Sequence, residues 1–108
     1  MAAPDDLAEA ARRAFTRRFN GVIRLEAEGA PPLFVDGRAS PPIIGKAAPK
    51  DIDPSGAGQC LWRAPRETLL RIFEGERLLG SAYLSGRLAI AGDMSVMARL
   101  EIEKHPHG

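Results

Sequence analysis

Side chains able to move protons or hold metals are scarce in this sequence, and the few present stand apart. The two histidines, His105 and His107, fall in a terminal His-Pro-His-Gly. A general base works only when held within hydrogen-bond reach of its proton, and chain ends seldom hold a group so firmly. The pair reads as a flexible tail over 105–108, with adventitious metal contact as its other use. Cys60 is the single cysteine, which excludes an internal disulfide and a Cys-rich zinc site and fits a reducing compartment. No histidine in the body of the chain stands ready to accept its proton. Beside Leu61 and Trp62, it reads as a buried packing thiol rather than a nucleophile.

Phosphate and cation loops fare no better. Gly45-Lys46-Ala47 has the Gly-Lys of a phosphate loop, but Ala47 stands where Ser or Thr must ligate magnesium, and Ser40 where the leading glycine belongs. Neither GxGxxG nor GxSxG occurs. Asp51 and Asp53 lack the further oxygen ligands and the spacing of a calcium loop and read as solvated. Arg12, Arg13, Arg17 and Arg18 have two readings. One is a basic patch for anionic lipid headgroups, giving at most transient membrane contact. The simpler is a solvated helix face, with Glu9 paired to Arg13 and the arginines matched to the helix C-terminus. The sequence therefore predicts no catalytic set, no metal site and no cofactor.

Fifteen basic against fourteen acidic residues give a net charge of +1, and the balance holds on either side of Pro54, with 8 against 8 before it and 7 against 6 after. A domain living on phosphate contacts carries a basic excess, so nucleic acid is disfavoured as a partner. The start, Met1 to Asp6, has neither the basic nor the apolar segment of a secretion signal, and no apolar run approaches the roughly 20 residues of a membrane span. The expectation is a cytoplasmic, soluble chain whose 108 residues make a single domain, with 5–104 as its ordered core.

The elements that must position any site follow from periodicity. From Asp5 to Phe19, Leu7, Ala11, Ala14, Phe15 and Phe19 recur at helical spacing, and Asn20-Gly21 supplies the stop. Ile23, Leu25 and Ala27 then alternate with Arg24, Glu26 and Glu28, a strand with one dry face. After Gly29-Ala30-Pro31-Pro32, Leu33 to Asp36 reads as a second strand, completing a hairpin. Residues 39–58 are rich in Pro and Gly, and Ile43-Ile44 is their one apolar island; a short edge strand belongs there, since a structureless loop of that length is unusual in a small domain. Gln59 to Ala64 predicts a strand, Pro65 the first turn of a helix closed by Gly75, and Leu78 to Leu84 a second short helix closed by Ser85-Gly86. Arg87 to Ala91 alternates as a strand, and Asp93 is placed to cap a helix running through Lys104. The class is α+β: a mainly antiparallel sheet with helices packed on one face.

Large apolar side chains are in surplus toward the C-terminus. Read plainly, they are core; read sharply, three helices carry more apolar surface than one small sheet can cover, which leaves a cavity.

The run Gly86-Arg87-Leu88-Ala89-Ile90-Ala91-Gly92-Asp93-Met94, with Leu100 in the segment after it, resembles the C-terminal signature of the sterol carrier protein 2 family: Gly, a basic residue, Leu-x-Ile-x-Gly, then Asp or Asn. Thr68 to Gly75 and Leu78 to Leu84 are similar to the two helices that precede it there, and Asn20-Gly21-Val22-Ile23 with Leu33 to Gly37 to its first hairpin. The resemblance spans 5–104 and implies a five-stranded sheet, including the strand at Ile43-Ile44. It also implies a non-catalytic domain that binds or transfers a fatty acyl chain, isoprenoid, sterol or similar lipid in a hydrophobic tunnel between sheet and helices. The expected walls, chosen by side-chain type and helix position, are Trp62, Leu69, Phe73, Leu79, Tyr83, Leu84, Met94 and Met97, with Tyr83 as the polar handle. The alternative is an accessory subunit presenting an apolar surface to a partner enzyme of lipid or quinone metabolism. Residues 40–58 match nothing in the family pattern. An empty rigid cavity of about 300 Å³ costs roughly 7 kcal/mol, so the domain is expected to carry a ligand or to close around Leu79, Tyr83, Met94 and Met97.

Overall fold

Helix α1 (Asp6–Ala14) turns Leu7, Ala8, Ala10 and Ala11 into the core and leaves Glu9, Arg12 and Arg13 exposed. The structure, a computed structural model, describes residues 6–100; His105, His107 and positions 101–104 of the expected last helix lie outside the described residues. The helical pattern continues to Phe19, yet the helix stops at Ala14. Tertiary contact overrides periodicity there: the backbone amides of Phe19 and Asn20 both donate to Gly37 O at 2.9 Å, and the buried Phe19 ring lies on the Cα of Gly37. Asn20 turns the chain with φ 55°, a conformation asparagine accepts more readily than most residues.

Five strands follow: β1 (Val22–Ala27), β2 (Leu33–Asp36), β3 (Ile43–Gly45), β4 (Gln59–Ala64) and β5 (Ala89–Gly92). They form one sheet in the order β3-β2-β1-β4-β5. β1 and β4 are parallel, and the other three pairs are antiparallel. The edge strand expected at Ile43-Ile44 is present as β3. Strand alternation divides the sheet. Ile23, Leu25, Ala27, Leu33, Val35, Ile44, Cys60, Trp62 and Ala64 are buried on the face toward the helices, while Arg24, Glu26, Phe34, Gln59, Leu61 and Arg63 take the opposite face.

Helices α2 (Arg66–Phe73) and α3 (Leu79–Leu84) end alike. Gly75 N–H donates to Ile72 O and Glu76 N–H to Arg71 O; Gly86 N–H donates to Tyr83 O and Arg87 N–H to Ala82 O. Each pair closes the last turn through a glycine with φ 81°, the geometry expected of Gly75 and Gly86. The second closure shortens the strand after it. Arg87 and Leu88 both donate to Ala82 O and so belong to the helix end, which is why β5 begins at Ala89 rather than Arg87.

Asp93 caps, but not as its sequence position implies. Its Oδ1 accepts from Ser95 N–H at 3.0 Å and Ser95 Oγ at 2.6 Å, while helix α4 (Ser95–Ala98) starts one residue later than an Asp93 cap predicts and stops at Ala98, with Arg99 as its C-cap, short of the expected run through Lys104. Its Oδ2 reaches across to Gly58 N–H at 2.7 Å.

That bond is one of several that tie down residues 46–58. The Arg38 guanidinium donates to Lys50 O at 2.9 Å and Asp51 O at 3.0 Å, and it is itself fixed by two 2.8 Å bonds to the Asp36 carboxylate. Gln59 Nε2 donates to Asp53 O, and Gly58 O accepts from Val22 N–H at 2.8 Å. The Pro- and Gly-rich stretch is a strap fastened at its middle and at its C-terminal end.

Candidate functional site

Between helices and sheet the chain is packed. Phe15 lies 5.9 Å from Trp62 and 5.4 Å from Phe73, ring centre to ring centre, and Trp62 stacks on Phe73 at 6.4 Å. The indole Nε1 of Trp62 donates to Met97 Sδ at 3.2 Å. Trp62, Leu69, Phe73 and Leu79 are thus brought together in the core with Met97 half-buried against them. Tyr83, Leu84 and Met94 are not brought in: Leu84 is 84% exposed, Met94 46% and Tyr83 45%. The eight expected walls divide into an inner group and an outer one.

On the opposite face of the sheet lies a cavity of about 490 Å³. Its floor is Val22, Arg24, Glu26, Phe34, Gln59, Leu61 and Ala91, and its roof is Ala48, Ile52 and Gly56 of the strap. None of the eight expected wall residues lines it. A signal for this face was present in the sequence: Leu33-Phe34-Val35 and Cys60-Leu61-Trp62 are apolar without alternation, as in strands covered on both sides. Ala48 and Ile52 carried no such signal, because they act only where the strap folds back.

One end of the hollow is charged. Glu26 accepts from Arg63 at 2.8 and 3.0 Å and pairs with Arg24 Nε at 2.8 Å, while the Arg24 guanidinium lies over the Phe34 ring, 5.7 Å from its centre. The Arg63 hydrogen bond, with Arg24 assisting, holds the Glu26 carboxyl below the usual range. One guanidinium, Arg24, and one carboxylate, Glu26, line this end, while Arg63, bonded to Glu26 from outside the lining, shares a neighbouring hollow with Glu26 and Glu28. Cys60 behaves as a packing thiol: burial raises its pKa, and the negative charge of Asp93 adds to the effect. Asp93 is held low by the Ser95 hydroxyl and then by the Gly58 amide. Among the described residues, no group of three or more His, Cys, Asp or Glu could hold a metal ion, and no helix is long and apolar enough to cross a membrane.

A family model described as the SCP-2 sterol transfer family matches residues 4–102. The chain belongs to that family. Solved structures of SCP-2 type share the fold. Apo Sterol Carrier Protein 2 from Yarrowia lipolytica is 17% identical, with a TM-score of 0.56 over 90% of this chain and 83% of that one. Sterol Carrier Protein 2 Like 2 from Aedes aegypti is 22% identical, with a TM-score of 0.58 over 87% of this chain and 89% of that one. The UbiJ-SCP2 Ubiquinone synthesis protein is 20% identical, with a TM-score of 0.54 over 89% of this chain and 72% of that one. No curated protein sequence matches this SCP-2 chain.

Proposed function

We propose that this domain binds and carries a lipid-like hydrophobic ligand, fatty acyl, isoprenoid or sterol-like, without catalysing a reaction on it. The observation that supports this most directly is an apolar hollow of about 490 Å³ in a chain of the SCP-2 sterol transfer family. That size falls within the roughly 300–1,000 Å³ of small-molecule pockets. Its ionisable walls are locked to one another or kept neutral by burial, so it binds rather than reacts. The sheet–helix interior is the other place for such a ligand. Trp62, Leu69, Phe73, Leu79, Tyr83, Leu84, Met94 and Met97 would wall it after α3 swings out, because Leu79 and Ala82 plug the interior.

Native mass spectrometry of the freshly purified full chain, followed by solvent extraction, tests the reading. A stoichiometric extra mass released as a lipid is the expected result. A bare protein that also takes up no 11-(dansylamino)undecanoic acid refutes it.

The outer side of α3 favours a second role, docking to a partner enzyme of lipid or quinone metabolism, in keeping with the resemblance to the UbiJ-SCP2 Ubiquinone synthesis protein. Leu78, Tyr83 and Leu84 are all exposed there. Replacing Tyr83 by Ser and Leu84 by Glu should abolish co-purification with such an enzyme and leave lipid uptake intact; loss of both together counts against a separate docking surface.

A further inference from the structure

The geometry points to a ligand seat on the helix-free face of the sheet, beneath the strap, shaped for an amphiphile whose acidic head meets the Arg24–Glu26–Arg63 end. The inference rests on the carriage reading for the ligand's apolar body and adds its place and its head group.

Three observations converge. First, the helix side offers no room among its largest side chains: Trp62, Phe15, Leu25, Leu69, Leu88 and Val96 are each at most 2% exposed. A ligand entering there must displace core side chains, whereas the hollow under the strap already exists and opens to solvent. Second, the floor is apolar where a solvent-facing sheet is normally polar. Phe34, Leu61 and Ala91 lie in one row across β2, β4 and β5, with Arg24 between the first two on β1 and Val22 two residues before it, and the strap holds Ala48 and Ile52 over them. The strap is also built as a fixed roof, with Arg38, Gln59 and Asp93 each spending a side chain on its backbone or its ends.

Third, the polar end presents a guanidinium. Arg24 is half exposed, lies over Phe34 at the cavity floor, and shares Glu26 with Arg63. With Glu26 also held by Arg63, the half-exposed Arg24 guanidinium suits a carboxylate or a phosphate, which it binds through paired N–H groups. The apolar body would then lie along Phe34, Leu61 and Ala91.

The test uses the full chain and displacement of 11-(dansylamino)undecanoic acid by oleate, oleyl phosphate and oleyl alcohol. Ala91→Trp fills the floor from an exposed position, and Ala48→Trp fills it independently from the roof, so a misfolded variant of one leaves the other informative. Either folded variant should weaken binding by about tenfold or more, the loss of roughly 1.4 kcal/mol of contact. Arg24→Gln should weaken both acids several-fold and leave the alcohol unchanged; the stronger of the two acids identifies the head group. Unaltered binding in both filled variants places the ligand elsewhere and overturns the seat, while the carriage reading stands. An alcohol that binds the native chain as tightly as the acids overturns the head-group assignment. A native chain that binds no probe defeats the carriage reading itself, and the seat with it.

Discussion

Three glycines form a graded test of how tightly the strap, β4 and β5 are joined. Gly45 has no positive φ, and a Cβ there meets nothing within 4 Å. Gly86 has φ 81° and open space around it. Gly92 has φ 101°, and a Cβ would lie 2.6 Å from Gln59 O and 3.2 Å from Cys60 Cα, both backbone atoms. Replacement by Ala therefore isolates three terms. At Gly45 the gain is in chain entropy and strand propensity, about 0.5 kcal/mol stabilising. At Gly86 left-handed strain alone costs about 1–2 kcal/mol. At Gly92 comparable strain is joined by a clash with backbone that no side chain can relieve by rotating, for a total of about 3 kcal/mol or more. Urea unfolding reads these directly. With a slope of about 1–3 kcal/mol per molar, Gly92→Ala should lower the midpoint by roughly 1–3 M with the slope unchanged and Gly86→Ala by about half as much, whereas Gly45→Ala should raise it by roughly 0.2–0.5 M. Equal midpoints for Gly86→Ala and Gly92→Ala would refute the close approach of β5 to Gln59.

Three further outcomes are expected. The carboxyls of Asp36 and Asp93 are both held below their ordinary value of 3.8, by the Arg38 hydrogen bonds and by Ser95 with Gly58. Their contribution is therefore fully present above that value and lost as pH falls through the lower folded ones. The melting temperature should fall steeply below about pH 4 and less steeply in Asp93→Asn; a native and a variant chain with parallel acid profiles would remove Asp93 from the account. Cys60 should resist iodoacetamide in the folded chain and react promptly in urea, read as an alkylated mass; fast labelling of the folded form contradicts its burial. Arg38→Ala should release the strap, seen as faster amide hydrogen exchange at Gly56, Gly58 and Gln59 with exchange at Leu69 and Ile72 unchanged; protection that survives the substitution means that Arg38 does not fasten it.

What could be read from the sequence was whatever depends on local order. The glycine stops at Gly75 and Gly86, the alternation of β1 and even the three-residue β3 carry their reasons in adjacent residues. The end of α1 does not, because it is set by Phe19 meeting Gly37 across the fold. The same holds for the hollow. Arg24 and Phe34 look like ordinary members of a solvated strand face until Ala48 and Ile52 come back over them, and nothing near Pro49 or Pro54 says where that stretch will land. Apolar side-chain type picked out Trp62, Leu69, Phe73 and Leu79 as interior, but it could not separate them from Tyr83 and Leu84, whose exposure depends on how α3 is rotated, or from Met94, whose exposure is set by the turn into α4.

The parallel pairing of β1 with β4 also bears on how the chain assembles. Glu26 and Arg63, bonded across that pair, are 37 residues apart, whereas β1 with β2, β2 with β3 and the α2 and α3 turns are closed by near neighbours. Loop closure over such a span costs more entropy than a hairpin and slows folding. The molecule is thus two locally knit halves joined by the β1–β4 seam and by Phe15 of α1 packed against Trp62 and Phe73, and the strap is the length of chain that crosses from one to the other. Fragments cut within it would each keep their own hairpins or helix ends, and reassembly of the pair would measure the strength of the sheet seam and the aromatic contact together.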